Sequence, residues 1–215
     1  MPKRNSSQRL ESVSCATLHR LSEYLRCLRH LESIGITKTS SRDFAERFHL
    51  SAVQIRKDLA QFGEFGIRGV GYDVSQLAGR ISSLLGLDQG RSVIVAGMGN
   101  LGSALTRFLS FGPETFEVVG GVDCDLAKIG DKIGHLTVRP VSELRQLVRE
   151  TKAEIGILAV PVAAAQSVYD EFVAAGVQAV LNFAPIRLRI HANVRTRNID
   201  LQVYLEELSY FLQTT

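Results

Sequence analysis

Ser92-Val93-Ile94-Val95-Ala96-Gly97-Met98-Gly99-Asn100-Leu101-Gly102 breaks a continuous apolar run with a G-x-G-x-x-G turn and leads into Ser103-Ala104-Leu105. Apolar residues without alternation from Val93 to Ala96 are the pattern of a strand buried on both faces. Gly97 allows the tight turn, Gly99 lets backbone approach a pyrophosphate, and Gly102 keeps the next helix close to the sheet. A helix starting near Asn100 aims its free N–H groups and positive dipole end at that phosphate. Gly97, Met98, Gly99, Asn100, Leu101 and Gly102 are therefore candidate cofactor-binding residues.

The context extends the reading. About 20 residues past the last glycine, the run Phe116-Glu117-Val118-Val119-Gly120-Gly121-Val122 ends at Asp123, where a second strand presents a carboxylate to a ribose diol. Such an acid favours NAD+ and NADH over their 2′-phosphorylated forms; Asp125, two places on, competes for the same role. Glu154 to Pro161 and Gly176 to Phe183 are further apolar strands, separated by a helix bearing Ala164, Val168, Phe172 and Val173. Strands alternating with helices predict an α/β, Rossmann-like doubly wound parallel sheet with its ligand at the carboxyl ends of the strands. Val160, Pro161, Asn182 and Phe183 fall at such ends and are assigned to the nicotinamide half.

Upstream, the sequence changes character. Residues 1–80 carry 13 Lys and Arg against 8 Asp and Glu, a net +5, whereas the whole chain is +3. The basic part is the candidate for a polyanion partner. Residues 1–12, with Lys3, Arg4 and Arg9, read as a flexible basic arm. Leu18, Leu21, Leu25, Leu28 and Leu31 predict an amphipathic helix from Ala16 to Ser33 that ends near Gly35, with Arg20, Glu23, Arg26 and Arg29 on its polar side.

Thr39 to Asp43 then offers a hydroxyl cap for a short helix through Phe48, and Ser51 caps a third. On that third helix Ala52, Ile55, Leu59 and Phe62 form an apolar stripe. Val53, Gln54, Lys57 and Gln61 point the other way, with Arg56 on the flank. The glycine-rich segment from Gly63 to Tyr72 around Arg68 reads as a β-hairpin wing. Helix, turn, helix and wing with positive charge make a winged helix-turn-helix, with Ser51, Gln54, Arg56, Lys57 and Arg68 as candidate contacts to double-stranded DNA.

Tyr72 to Leu85 is the expected linking helix. At the far end, Tyr204, Leu205, Leu208, Phe211 and Leu212 form a terminal helix that needs a partner surface, either its own sheet or a second copy, and a homodimer contact would match a palindromic DNA site. The domains expected are 1–85 for DNA, 86–200 for the dinucleotide and 201–215 for dimerisation.

Composition is that of an ordinary globular protein, 45% apolar and 22% charged. No apolar run reaches the ~20 residues of a membrane span, and residues 1–11 lack an apolar signal core, so a cytoplasmic protein is expected. Cys15, Cys27 and Cys124 show neither disulfide nor zinc spacing. Cys124 reads as structural filling, because Asp123 and Asp125 disfavour its thiolate.

Val53-Gln54-Ile55-Arg56-Lys57-Asp58-Leu59, followed by Phe62 through Tyr72, resembles the DNA-reading signature of the bacterial redox-sensing repressors called Rex. Gly97 to Gly102, Leu158-Ala159-Val160-Pro161, Leu181 to Pro185 and Asn198-Ile199-Asp200 resemble that family in the same order. The resemblance implies a winged-helix domain joined to a Rossmann domain, and a homodimer that swaps its C-terminal helix and represses respiratory and fermentative genes. It also implies release from DNA by NADH, with NAD+ competing and permitting binding. Arg56, Lys57 and Arg68 would read DNA; Gly97, Gly99, Gly102 and Asp123 would hold the dinucleotide. Arg26 would pair with Asp200 of the partner subunit in one conformational state. One departure is Phe108, where family members often carry a tyrosine that hydrogen-bonds the switching aspartate; a phenyl ring offers only packing near the nicotinamide.

Two other readings compete. An NAD-dependent oxidoreductase would need a substrate domain for which residues 88–215 leave no room, and no Tyr-x-x-x-Lys pair or well-placed His135 or His191 supplies its acid. A regulator sensing another adenine nucleotide, such as coenzyme A or an adenylate, would use the same glycine turn.

Overall fold

The computed structural model describes residues 13–63, 71–110 and 115–213. Residues 64–70 of the expected wing, Arg68 among them, and the basic arm of residues 1–12 lie outside them. The chain divides into two compact units, Met1–Asp88 and Gln89–Thr215.

In the first unit, helix α1 (Cys15–Ser33) begins where the Ser14 hydroxyl accepts the Thr17 N–H. It ends at Gly35, whose φ of 78° lets the Ile36 N–H reach back to the Leu31 carbonyl, a left-handed stop. Leu21, Leu25, Leu28 and Leu31 are buried as their spacing requires, and Tyr24 joins them. Leu18 departs from the expectation and is 38% exposed, while its neighbour Thr17 is buried in the same turn. Helices α2 (Ser41–Phe48) and α3 (Ala52–Ala60) follow, capped by the hydroxyls of Ser40 and Ser51. A two-stranded antiparallel sheet of β1 (Lys38–Thr39) and β2 (Tyr72–Asp73) leads into α4 (Val74–Leu84), whose cap is the Asp73 carboxylate. Phe44, Ile55, Leu59, Val74 and Ile81 close one core with the α1 leucines.

The second unit is a seven-stranded sheet in the order β5-β6-β4-β3-β7-β8-β9. Its strands are β3 (Arg91–Ala96), β4 (Phe116–Asp123), β5 (Lys132–Ile133), β6 (Leu136–Pro140), β7 (Ile155–Leu158), β8 (Ala179–Asn182) and β9 (Arg195–Asn198). All neighbours are parallel except the β5–β6 pair. The order reverses at β3, which pairs with both β4 and β7, so the switch point lies where the glycine turn leaves the sheet. Val93 to Ala96 are all buried, matching the non-alternating run.

Helices α5 (Asn100–Ser110), α6 (Leu144–Thr151) and α7 (Val162–Ala175) make the crossovers, and α8 (Leu201–Gln213) ends the chain. On α7 the buried stripe is Ala165, Val168, Tyr169 and Phe172, so Ala164 and Val173 are only partly covered. Strands β5 and β9 carry too little apolar signal to be seen in the sequence, whereas β6 alternates Leu136 and Val138 inward; β9 reads Arg-Thr-Arg-Asn and takes its shape from pairing with β8. No described helix is long and apolar enough to cross a membrane.

Candidate functional site

The loops after β3, β4 and β7 wall a cavity of about 900 Å³. Gly97 stands at φ 89° and donates its N–H to the Val122 carbonyl at 2.8 Å. A Cβ at Gly97 would be driven into the Ala159 carbonyl oxygen, and one at Gly102 into the Gly97 carbonyl oxygen. Only hydrogen fits at either place, so the turn can lie flat against the start of β7's loop and hold α5 close. Gly97, Gly99, Asn100 and Leu101 face the cavity at the first turn of α5, where a helix offers its unpaired N–H groups to an anion. Met98 and Gly102 are buried beneath that surface.

Asp123 lines the cavity but has a second task. Its Oδ2 accepts the Met98 N–H at 2.7 Å and its Oδ1 accepts the Asp125 N–H at 2.9 Å, so the carboxylate fastens the glycine turn to the end of β4. Burial opposes its ionisation, but the N–H groups of Asp125 and Met98 and the nearby Lys128 ammonium outweigh burial and hold the carboxyl below the usual range. The result is an anion with lone pairs to spare for a ribose hydroxyl and repulsion for a 2′-phosphate.

Lys128 lies 3.6 Å from Asp123 and 3.4 Å from Asp125 and also lines the cavity. Sequence reading missed it; the signal was the turn that Asp125 caps by accepting the Ala127 N–H, which carries residue 128 back toward both acids. Cys124 is exposed on this wall and so is not interior filling.

Val160 and Pro161 lead from β7 into α7, whose Ala164, Ser167 and Glu171 complete the opposite wall. The α7 residues were also missed, although the first turns after a switch-point strand are where they belong. Asn182 and Phe183 do not line this cavity, contrary to expectation. The Asn182 amide is fully buried and spent on the Ala184 and Ile186 carbonyls and on Asn198, which locks the turn after β8 to β9. Phe183 packs in the cluster of Val93, Val95 and Met98 instead. Phe108 is 73% exposed on α5 and is likewise outside the cavity wall. Asp200 accepts the Gln202 N–H and starts α8, while Arg26 is exposed on α1.

In the first unit, Ser51 is exposed at the cap of α3 and Arg56 and Lys57 are exposed on the helix, where Arg56 Nη1 donates to Ser41 Oγ at 2.9 Å. Gln54 is half-buried instead of pointing outward. Its Nε2 donates to Oδ1 of Asp58, which is fully buried. Arg20, expected on the polar side of α1, turns onto the same carboxylate through Nε at 2.6 Å and Nη2 at 2.8 Å; the Tyr24 hydroxyl donates at 3.0 Å.

Burial opposes ionisation of Asp58, but the donors Arg20, Gln54 and Tyr24 prevail and its carboxyl sits below the usual range. The stability this supplies is full above the unfolded value of about 3.9 and is lost as pH falls from there through the lower folded value. Asp58→Asn is expected to flatten that acid dependence and to destabilise the unit by on the order of 3 kcal/mol, read by urea unfolding at a series of pH values.

A helix-turn-helix and a doubly wound sheet with a glycine cradle, in one chain, define a two-domain α/β protein with an N-terminal DNA-binding domain and a Rossmann-like domain. Residues 12–60 match a family described as "putative DNA-binding protein N-terminus", and residues 88–186 match one described as "CoA binding domain". The chain is 48% identical to a redox-sensing transcriptional repressor Rex of Desulforamulus reducens over 92% of its length and 94% of that protein's. It is also 48% identical to the Rex of Carboxydothermus hydrogenoformans, over 91% and 94%. A solved structure of RSP in complex with β-NAD+ and operator DNA superposes with a TM-score of 0.90 at 37% identity, covering 94% of this chain and 93% of that one. RSP with β-NADH gives 0.85 at 35% identity, covering 94% and 95%. The chain belongs to the Rex family of redox-sensing transcriptional repressors.

Proposed function

We propose that this chain is an NADH-sensing repressor that binds operator DNA as a homodimer in the cytoplasm and leaves it when NADH occupies the cavity of the second unit. The carrying observation is the cavity at the switch point, where Gly97 and Gly102 leave room only for backbone and an ionised Asp123 stands beside the turn. Ser51, Gln54, Arg56, Lys57 and Arg68 are the proposed DNA contacts. Residues 97–102, Asp123, Val160 and Pro161 are the proposed dinucleotide contacts, and Arg26, Phe108 and Asp200 belong to the switch. The domains are proposed as 1–85, 86–200 and 201–215. Both curated relatives compared above are named as repressors, which supports regulation over catalysis as the role of the sheet.

A ligand shifts a two-state equilibrium only by its differential affinity, so NADH must bind the DNA-incompetent state more tightly. Each tenfold change in operator affinity needs about 1.4 kcal/mol of that difference. The test is binding of the purified chain to a palindromic duplex from its own promoter region, at fixed salt, with NADH, NAD+ or neither. DNA binding lost with NADH and kept with NAD+ is expected. NADH that binds without changing DNA affinity would sink the coupling. The match to a CoA binding domain makes coenzyme A the second nucleotide to titrate; tighter binding of it would favour sensing of another adenine nucleotide. NADH turnover with small carbonyl compounds would favour a dehydrogenase.

A further inference from the structure

Asp58 is the one charged side chain in the first unit's described residues with no exposed surface, and it lies on α3, the helix proposed to read DNA. Its donors among the described residues are Arg20, twice, and Tyr24 from α1, and Gln54 from its own helix. The web continues backward, since Arg20 Nη2 also reaches Thr17 Oγ1 at 3.3 Å and Thr17 Oγ1 lies 3.0 Å from the Ser14 hydroxyl at the start of α1. A buried, hydrogen-bonded ion pair gives no more stability than well-packed apolar side chains of the same volume. What it does supply is directional: it holds the Gln54 carboxamide in one orientation.

We propose that Asp58 is a positioning residue for base readout, acting through Gln54. The inference rests on the reading of α3 as the DNA-contacting helix. A glutamine reads adenine by donating one N–H to N7 while its oxygen accepts from N6, which needs the carboxamide plane set in advance. Asp58 accepts one of the two N–H bonds of Gln54 Nε2 and has no proton to give, so the nitrogen must face inward and cannot exchange places with Oε1. The second N–H and Oε1 remain for a base edge. A free glutamine would sample both flips and several rotamers, and would lose that preorganisation on each encounter.

The experiment uses the full chain and duplexes carrying single base-pair changes across the operator, together with an unrelated duplex. Gln54→Ala is expected to lose on the order of tenfold in discrimination at one or two base pairs of each half-site. Asp58→Asn is expected to lose a comparable factor at the same base pairs, with affinity for the unrelated duplex and the salt dependence unchanged. The double variant should discriminate no worse than Gln54→Ala alone, because the effect runs through one side chain.

A purely structural Asp58 would give a different result. Affinity would fall by one common factor on every duplex, or the two substitutions would multiply, and either outcome overturns the proposal. A wild-type chain that binds no operator overturns the DNA reading itself. Should Asp58→Asn fail to fold, NMR of the DNA-free wild type decides: slowed solvent exchange of the Gln54 carboxamide protons supports the anchor, and exchange at the rate of a solvated glutamine removes it.

Discussion

Gly102→Ala is expected to weaken NADH binding by roughly 100-fold or more and to lower the melting temperature of the chain. The added Cβ would be driven into the Gly97 carbonyl oxygen and against Val95, so either α5 lifts from β3 or the glycine turn opens. Neither neighbour is the yielding tip of a flexible side chain. Forcing extra atoms into such a site costs on the order of 3 kcal/mol or more. At about 1.4 kcal/mol per tenfold, that is a loss of roughly 100-fold or more in any binding that depends on the cradle's shape. Calorimetric titration with NADH and a thermal melt check it. Gly99→Ala is the internal control: a Cβ there meets nothing within 4 Å. That variant is expected to melt like the wild type, so a loss of NADH binding without loss of stability would mark Gly99 as the place where backbone and pyrophosphate approach. A Gly102→Ala chain with unchanged melting and unchanged affinity would overturn this account of the turn.

Leu205→Asp combined with Leu208→Asp is expected to convert the protein to a monomer and to weaken operator binding by about 10² to 10⁴, the range over which a second linked site raises affinity. Helix α8 has 13 residues, none of them buried, and Leu201, Val203, Tyr204, Leu205, Leu208, Tyr210, Phe211 and Leu212 are each at least 46% exposed. A helix of that length is marginal in water without tertiary packing. An apolar surface of this extent on one chain marks an interaction site, and the proposed occupant is a second copy. Sedimentation velocity reads the mass and anisotropy reads the DNA affinity on the same samples. A double variant that still sediments as a dimer would move the dimer contact elsewhere in the chain.

Much of this architecture was legible from the residues. Ser40 and Ser51 cap their helices, Gly35 stops α1, and Val93 to Ala96 form a strand covered on both faces. These are short-range events: a hydroxyl meets an N–H three residues on, a glycine takes a left-handed φ, and an apolar run buries itself. The glycine spacing located the cavity for the same reason, since turn, helix start and strand end are contiguous in the chain. Gly97, Gly99, Asn100 and Leu101 accordingly stand together on its wall, and Asp123, Val160 and Pro161 join them because parallel strands end at the same edge of the sheet.

Other features depended on distant partners. Asp58 and Arg20 are 38 residues apart, and nothing local distinguishes either from a solvated surface charge until α1 and α3 cross. Asn182 sits at the strand end its sequence implies, yet its amide faces Asn198 on β9, a strand with no apolar pattern of its own. Asp123 was legible as an acid after a strand; that it also ties down the Met98 N–H follows only from the parallel register of β3 and β4. The residues by themselves therefore determined the two-domain plan, the helix-turn-helix, the doubly wound sheet and the glycine cradle, because period, caps and turns act within a few residues. Tertiary structure alone decided where the polar side chains spend their hydrogen bonds, because a buried donor or acceptor must find its partner wherever the packed backbone brings one.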